Sequence, residues 1–144
     1  MALFKFTQAI LSGDPIDVFN HGNHSRDFTY IDDIVDGILK TIDNPASINL
    51  DWKSDDPDPA TSKTPWRIYN IGNNKPVNLM DYIKALENSL GKKAKFNFLP
   101  LQPGDVKDTF ASVENLKKNF NYQPSISVDE GVSKFVKWFK DYYL

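Results

Sequence analysis

Two short polar segments carry the side chains best suited to gripping a charged ligand. In Ser25-Arg26-Asp27-Phe28-Thr29-Tyr30-Ile31-Asp32-Asp33, Arg26 follows a glycine-containing turn and enters an extended stretch. A guanidinium there can clasp a diphosphate through two parallel charge-assisted hydrogen bonds. The plainer reading is a surface arginine paired with Asp27, a contact that contributes little, and composition alone favours it. In Gln102-Pro103-Gly104-Asp105 the proline and glycine fix the backbone. A carboxylate steadied in this way suits the hydroxyls of a ribose. The plainer reading here is a turn aspartate that caps its own backbone, and it wins if the loop is taken alone.

Other candidates are weaker. Asp32 and Asp33 are adjacent carboxylates, a pairing that can do acid–base work, but at a helix start capping is the expected task. His21 and His24 share a turn without a nearby acidic partner in sequence, and a metal site needs at least one more ligand; both read as ordinary loop histidines. There is no glycine-rich phosphate loop between a strand and a helix. There is no Tyr-x-x-x-Lys pair, in which a lysine lowers a tyrosine's pKa, and no Gly-x-Ser-x-Gly elbow.

The elements that must position these residues follow from periodicity. Met1 to Leu11 reads as a helix ended by Gly13, with no capping residue and apolar side chains on more than one face. Ile16 to Phe19 reads as a short strand, Asn20 to Ser25 as a turn, and Asp27 to Tyr30 as extended. A helix then opens at Asp32 or Asp33 and buries Ile34, Val35, Ile38, Leu39 and Ile42 at helical spacing. Residues 44–66 hold four prolines and form a long, mobile loop. Arg67 to Gly72 reads as a compact strand. Asn78 caps a helix with Leu79, Tyr82, Ile83, Leu86 and Leu90 inward, ended by Gly91. Lys95 to Leu99 is a strand, and Pro100 to Val106 a loop. Ser112 opens a short helix to Phe120. Ser127-Val-Asp-Glu130 is a capping box for a last helix with Val132, Phe135, Val136 and Phe139 on its apolar face. The alternation argues for an α/β layer structure. About four short strands must serve about five helices, and a missing sheet would explain the shortage.

Composition sets the outer limits. The 144 residues are 40% hydrophobic, 13% aromatic and 25% charged, with net charge -2. This is a core-forming composition for one domain rather than a disordered one. Both charge signs are interspersed, so neither a nucleic-acid nor a membrane surface is expected. With no cysteine, disulfides and thiolate chemistry are excluded. No apolar run is long enough to span a bilayer and no signal peptide is read at the N-terminus, so a cytoplasmic location is the expectation. The uncapped first helix has a bland reading, a core helix at the chain start, and a sharper one, a natural chain that continues upstream.

Taken together the segments resemble one family. Ser25 to Ile38 is similar to the R-D-[FY]-x-[YH]-[IV]-x-D signature in the C-terminal half of the extended short-chain dehydrogenases/reductases. Arg67-Ile-Tyr-Asn-Ile-Gly-Asn-Asn74, Gln102-Pro-Gly-Asp-Val106 and Asp129-Glu-Gly-Val132 follow in that family's order and spacing. The loop Asp55-Asp-Pro-Asp-Pro-Ala-Thr-Ser62 looks most like the UDP-glucuronate 4-epimerase branch, which serves capsule and surface polysaccharide synthesis. The resemblance runs over essentially the whole chain. It implies an α/β fold comprising residues 1–144, the C-terminal substrate-binding portion without the N-terminal Rossmann sheet that holds NAD.

The resemblance also implies roles. Arg26 would bind the diphosphate, Val18, Phe19 and Asn20 would meet the uracil through backbone groups, and Asp105 would hold the ribose. Several relatives have arginine where this chain has Gln102, and a glutamine does not neutralise phosphate; glucuronate-type members often carry it. Ser112 departs from a common Asp and is expected to cap its helix. The family reaction oxidises C4 of the sugar with tightly held NAD and returns hydride to the other face. Its Tyr base, Lys and NAD loop would lie upstream, so no residue here is assigned a catalytic role and no cofactor is expected on this chain alone. The helix after Asp33 and the strand Ile68 to Ile71 would pack against the Rossmann sheet. The expected partners are therefore a UDP-sugar, a separate polypeptide that supplies the Rossmann half, and, through the uncovered elements, a second copy in a homodimer. An inactive remnant and an unrelated interaction module are the competing readings.

Overall fold

The computed structural model describes residues 2–144. Its helices are α1 (Ala2–Ser12), α2 (Ile31–Ile42), α3 (Leu79–Leu90), α4 (Glu114–Phe120) and α5 (Val128–Tyr143), with strands β1 (Pro15–Val18), β2 (Ser25–Arg26), β3 (Val77–Asn78) and β4 (Lys95–Phe98). β1 runs parallel to β4, pairing Ile16 with Phe96 and Val18 with Phe98. β2 runs antiparallel to β3, with Ser25 opposite Asn78 and Arg26 opposite Val77. Met1, the first residue of the expected first helix, lies outside the described residues.

Local signals set the helices of the main core. Asn78 Oδ1 accepts the Met80 N–H at 2.8 Å and Gly91 closes α3 in the left-handed region, as the sequence predicts. Ser127 Oγ accepts the Glu130 N–H at 3.2 Å. Only that half of the capping box forms, because the Glu130 carboxylate turns outward to Lys134. α3 and α5 pack face to face. Tyr82, Ile83, Leu86 and Leu90 meet Val132 and Val136, and Ile10 of α1 with Ile16 and Val18 of β1 complete the cluster. Each such aliphatic side chain removed from water contributes about 1.5–3 kcal/mol. Phe28 stacks flat on Tyr82 with ring centroids 4.0 Å apart, which anchors the segment carrying Arg26 to α3. A second cluster of Val113, Leu116 and Tyr122 lies under Tyr69, Ile71 and Phe120.

Several expectations are corrected. Arg67 to Gly72 is not a strand; Arg67 makes one isolated bridge to Thr61, and the rest of the run has no neighbouring strand to pair with among the described residues. Phe19 leaves β1 and starts a tight turn, Phe19–Gly22, in which Asn20 and His21 both take positive φ near 50°. Asp27 to Tyr30 joins no strand ladder among the described residues, and its last residue, Tyr30, is extended at φ -75 and ψ 150. Ser112 does not cap α4, which begins at Glu114; its carbonyl instead accepts from Asn70 Nδ2. The helical period of α2 is as read, but its stripe is not buried. Ile31, Val35, Ile38, Leu39 and Ile42 are all exposed, while Asp33 and Gly37 face inward. Asp33 is no cap: it accepts the Ser125 and Ile126 amides at 3.0 and 3.1 Å and ties the approach to α5 onto α2.

The 44–66 segment is braced by its own side chains. Asn49 Nδ2 donates to Thr61 Oγ1 at 3.0 Å, and Thr61 Oγ1 donates to Asp58 Oδ2 at the same distance. The Ala60 N–H and the Thr61 hydroxyl hold the Asp58 carboxyl below its usual range.

Candidate functional site

The site forms where β2 meets the loop after β4. Gln102 to Asp105 is a β-turn: the Asp105 N–H donates to the Gln102 carbonyl at 3.1 Å. Pro103 presets one central residue, and Gly104 supplies the positive φ of 82° that the other needs. The chain then runs alongside β2, where the Ser25 N–H donates to the Lys107 carbonyl and the Thr109 N–H to the Ser25 carbonyl. Ser25 Oγ adds a bond to Asp108 at 2.8 Å.

This zipper brings Arg26 and Asp105 together. One terminal nitrogen of the guanidinium donates to Asp105 Oδ1 at 3.1 Å and to the Val106 carbonyl at 2.7 Å. The other donates to the carbonyls of Ser25 at 2.9 Å and Lys107 at 2.8 Å. All four terminal N–H groups are thus engaged, with about a quarter of the side chain exposed. The expected neighbour Asp27 is not the partner of Arg26. Its carboxylate accepts the backbone amides of Asn74 and Ala111 on one oxygen and Lys75 on the other, at 3.1–3.2 Å. Asp27 therefore clamps two loops to the end of β2. Gly72 is needed beside it, since a Cβ there would sit 2.7 Å from Ala111 Cβ and 2.9 Å from Asp27 Oδ2.

The other candidates are held by β1, the turn after it and the head of the Gln102–Asp105 turn. Val18 is fully buried at the end of β1, and its carbonyl is taken by the Leu99 N–H. The Asn20 carbonyl is taken by the Asn23 N–H, and the Asn20 side chain reaches the Asn23 carbonyl at 2.7 Å. Phe19 and Asn20 are half-buried, whereas Gln102 is exposed at the head of the turn. Two consecutive non-glycine residues at positive φ are costly, of order 1–3 kcal/mol each. The His21 N–H donates to the Leu99 carbonyl, which fastens that strained turn to the β4 loop.

His24 is not an ordinary loop histidine. It is buried, with Nδ1 3.1 Å from the Lys107 carbonyl and Nε2 3.6 Å from Asp105 Oδ2. Among the described residues its buried Nε2 has no hydrogen-bond partner. The acidic neighbour comes from the far loop, so local spacing gave no signal for it.

What the cluster can do is recognise an anion and a hydroxyl-bearing group side by side, with a cation and a carboxylate on a rigid turn. None of the seven glycines stands in a Gly-x-Gly-x-x-Gly sequence, the pattern of a dinucleotide's phosphate turn. Among the described residues no three metal-ligating side chains converge, and no helix is long and apolar enough to cross a membrane.

This helix–strand mixture matches the C-terminal portion of extended short-chain dehydrogenase/reductase epimerases. The sequence profile of the NAD dependent epimerase/dehydratase family matches residues 1–72, and the chain belongs to that family. It is 52% identical over 143 residues to protein CapI of Staphylococcus aureus, covering 99% of this chain and 43% of that one. It is 43% identical to a probable UDP-glucuronate 4-epimerase of Rhizobium meliloti, over 99% of this chain and 42% of the relative. The crystal structure of UDP-glucuronic acid 4-epimerase from Bacillus cereus, in complex with UDP-glucuronic acid and NAD, superposes with a TM-score of 0.78 at 29% identity. That match covers 99% of this chain and 40% of the other. The chain thus spans about two fifths of the length of these relatives.

Proposed function

We propose that residues 1–144 form the nucleotide-sugar-binding portion of a UDP-sugar 4-epimerase of the UDP-glucuronate type, serving surface polysaccharide synthesis. The observation that carries this is the meeting of Arg26 and Asp105 across the turn Gln102–Asp105, a cation for the diphosphate next to a carboxylate for the ribose. Val18, Phe19 and Asn20 are proposed to meet the uracil, and Gln102 opens the turn that carries Asp105. The names of the relatives support the sugar class, since they include UDP-glucuronate 4-epimerases.

In this reading the oxidation at C4 is done elsewhere. These 144 residues contain no Tyr-x-x-x-Lys pair and no dinucleotide turn, so they neither hold NAD nor epimerise unaided. A polypeptide with a Rossmann NAD site supplies both, docking on the exposed stripe of α2. The test is to measure UDP-glucuronate binding to this chain by calorimetry, then to look for epimerisation with a Rossmann portion added. Binding lost in Arg26→Ala supports the reading. Turnover by the 144 residues alone, or UDP binding indifferent to Arg26→Ala, sinks it.

A further inference from the structure

We propose that His24 couples capture of the nucleotide sugar to the uptake of a proton, acting as a positioning residue behind Asp105 and Arg26; this rests on the nucleotide-sugar reading above. The ring faces the Lys107 carbonyl with Nδ1 at 3.1 Å. A carbonyl oxygen only accepts, so Nδ1 carries the hydrogen. In the neutral ring Nε2 is then a bare lone pair. It is buried, unpartnered, and 3.6 Å from Asp105 Oδ2. Two acceptors thus face each other at ion-pair distance, and a proton on Nε2 lets the gap close to a charge-assisted hydrogen bond.

The state of Arg26 says when that proton is needed. All four of its terminal N–H groups are spent on Ser25, Asp105, Val106 and Lys107. A diphosphate can bond the guanidinium ends only by taking hydrogens from these partners. When the edge shared with Asp105 turns to phosphate, Asp105 loses its donor. A proton from solvent then bonds to Nε2, and the imidazolium donates to Oδ2. The carboxylate keeps a fixed position for the ribose, and the trio gains one positive charge opposite the incoming anion.

The remaining charged groups on the packed elements are Lys107 and Asp108 on the loop and Asp81, Lys84 and Glu87 on α3, with Glu87 paired to Lys93. Asp108 is taken by Ser25 Oγ, and among the described residues only Asp105 comes within ion-pair distance of the ring. Linkage fixes the sign: a ligand that binds the protonated form better draws a proton in, and binds more tightly as pH falls.

The test uses UDP-glucose, whose diphosphate is esterified at both ends and so lacks the terminal phosphate group that titrates near pH 6. It is titrated into the 144-residue chain in two buffers of different ionisation heat. The binding heat should differ between buffers in the sense of proton uptake. Affinity should fall by up to about tenfold as pH rises, the sense that proton uptake on binding requires. In His24→Gln both dependences should vanish. Should that variant not fold, the wild-type ring decides by NMR. His24 signals, told from His21 by a His21→Asn variant, should move to the doubly protonated form as UDP-glucose is added, and fail to do so in Asp105→Asn. UDP-glucose binding without proton exchange, or uptake that persists in His24→Gln, overturns the coupling alone. No binding of either UDP-glucose or UDP-glucuronate by the wild type overturns the nucleotide-sugar reading and the coupling together.

Discussion

Arg26 and Asp105, 79 residues apart in the chain, meet at 3.1 Å, while Asp27, the residue next to Arg26, turns its carboxylate to the backbone amides of Asn74, Lys75 and Ala111. The arginine thereby has two duties, bracing the loop and binding. Arg26→Ala should weaken UDP binding by roughly 1.5–3 kcal/mol, the loss of charge-assisted contacts. Arg26→Lys should rescue little, because an ammonium cannot reproduce the forked contacts with four acceptors. Calorimetric titration of both variants checks this; full rescue by lysine would mean that charge alone matters.

Asp27 is predicted to matter for order rather than for ligand contact. Asp27→Ala strands three loop amides and should cost about 1–3 kcal/mol or more. Hydrogen exchange at Asn74, Lys75 and Ala111 should accelerate together, while α3 amides keep their protection. Unchanged exchange at those three amides would remove the clamp role.

The pH dependence of stability follows from two kinds of group. Burial pushes the Tyr82 hydroxyl up to about 12, and burial with the Asp33, Asp36 and Asp27 charges does the same for Tyr122. A group whose pKa is raised on folding contributes fully below its unfolded value of 10.0 and loses that contribution as pH rises toward the folded one. Thermal stability should therefore fall between about pH 10 and 12, and less so in Tyr82→Phe. Burial pushes the Glu87 carboxyl up, but the Lys93 ammonium and the Ala94 N–H outweigh it and leave it below its ordinary 4.5. Its contribution is present above that value and is lost as pH falls through the folded one. Acid melting curves for Glu87→Gln should accordingly be flatter than wild type below about pH 4.5.

What the sequence made legible was local. Asn78, Gly91 and Ser127 act on amides within three residues or end a helix in place, and the Pro103-Gly104 turn needs only its own backbone preferences. What it left hidden depends on distant partners. Residues 67–72 have the composition of a strand, yet a strand exists only where another pairs with it. The surroundings of His24 could not be read because Lys107 and Asp105 reach it from the loop after β4, with Lys107 83 residues along the chain. The family resemblance named Arg26 and Asp105 singly, and local spacing did not reveal that the two bond to each other.

The last prediction concerns α2. Its period gives a clean apolar stripe, and Ile31, Val35, Ile38 and Ile42 all lie exposed along it, with Leu39 beside them. Monomers seldom leave so continuous an apolar face in water. At ~25 cal/mol per Å², covering a few hundred Å² offsets much of the cost of association. The face should therefore drive self-association of this chain when no Rossmann portion is present, most simply as a two-fold dimer. The double variant Ile38→Asp with Ile42→Asp should be monomeric and should melt close to wild type, since neither side chain contributes to the buried core. A Rossmann portion added in excess should also dissolve the dimer, because both occupants need the same stripe. Light scattering over a concentration series reads all three cases. A wild-type chain that stays monodisperse and monomeric at high concentration, and binds no apolar dye, would show that this stripe is tolerated in water and that α2 is not a docking face.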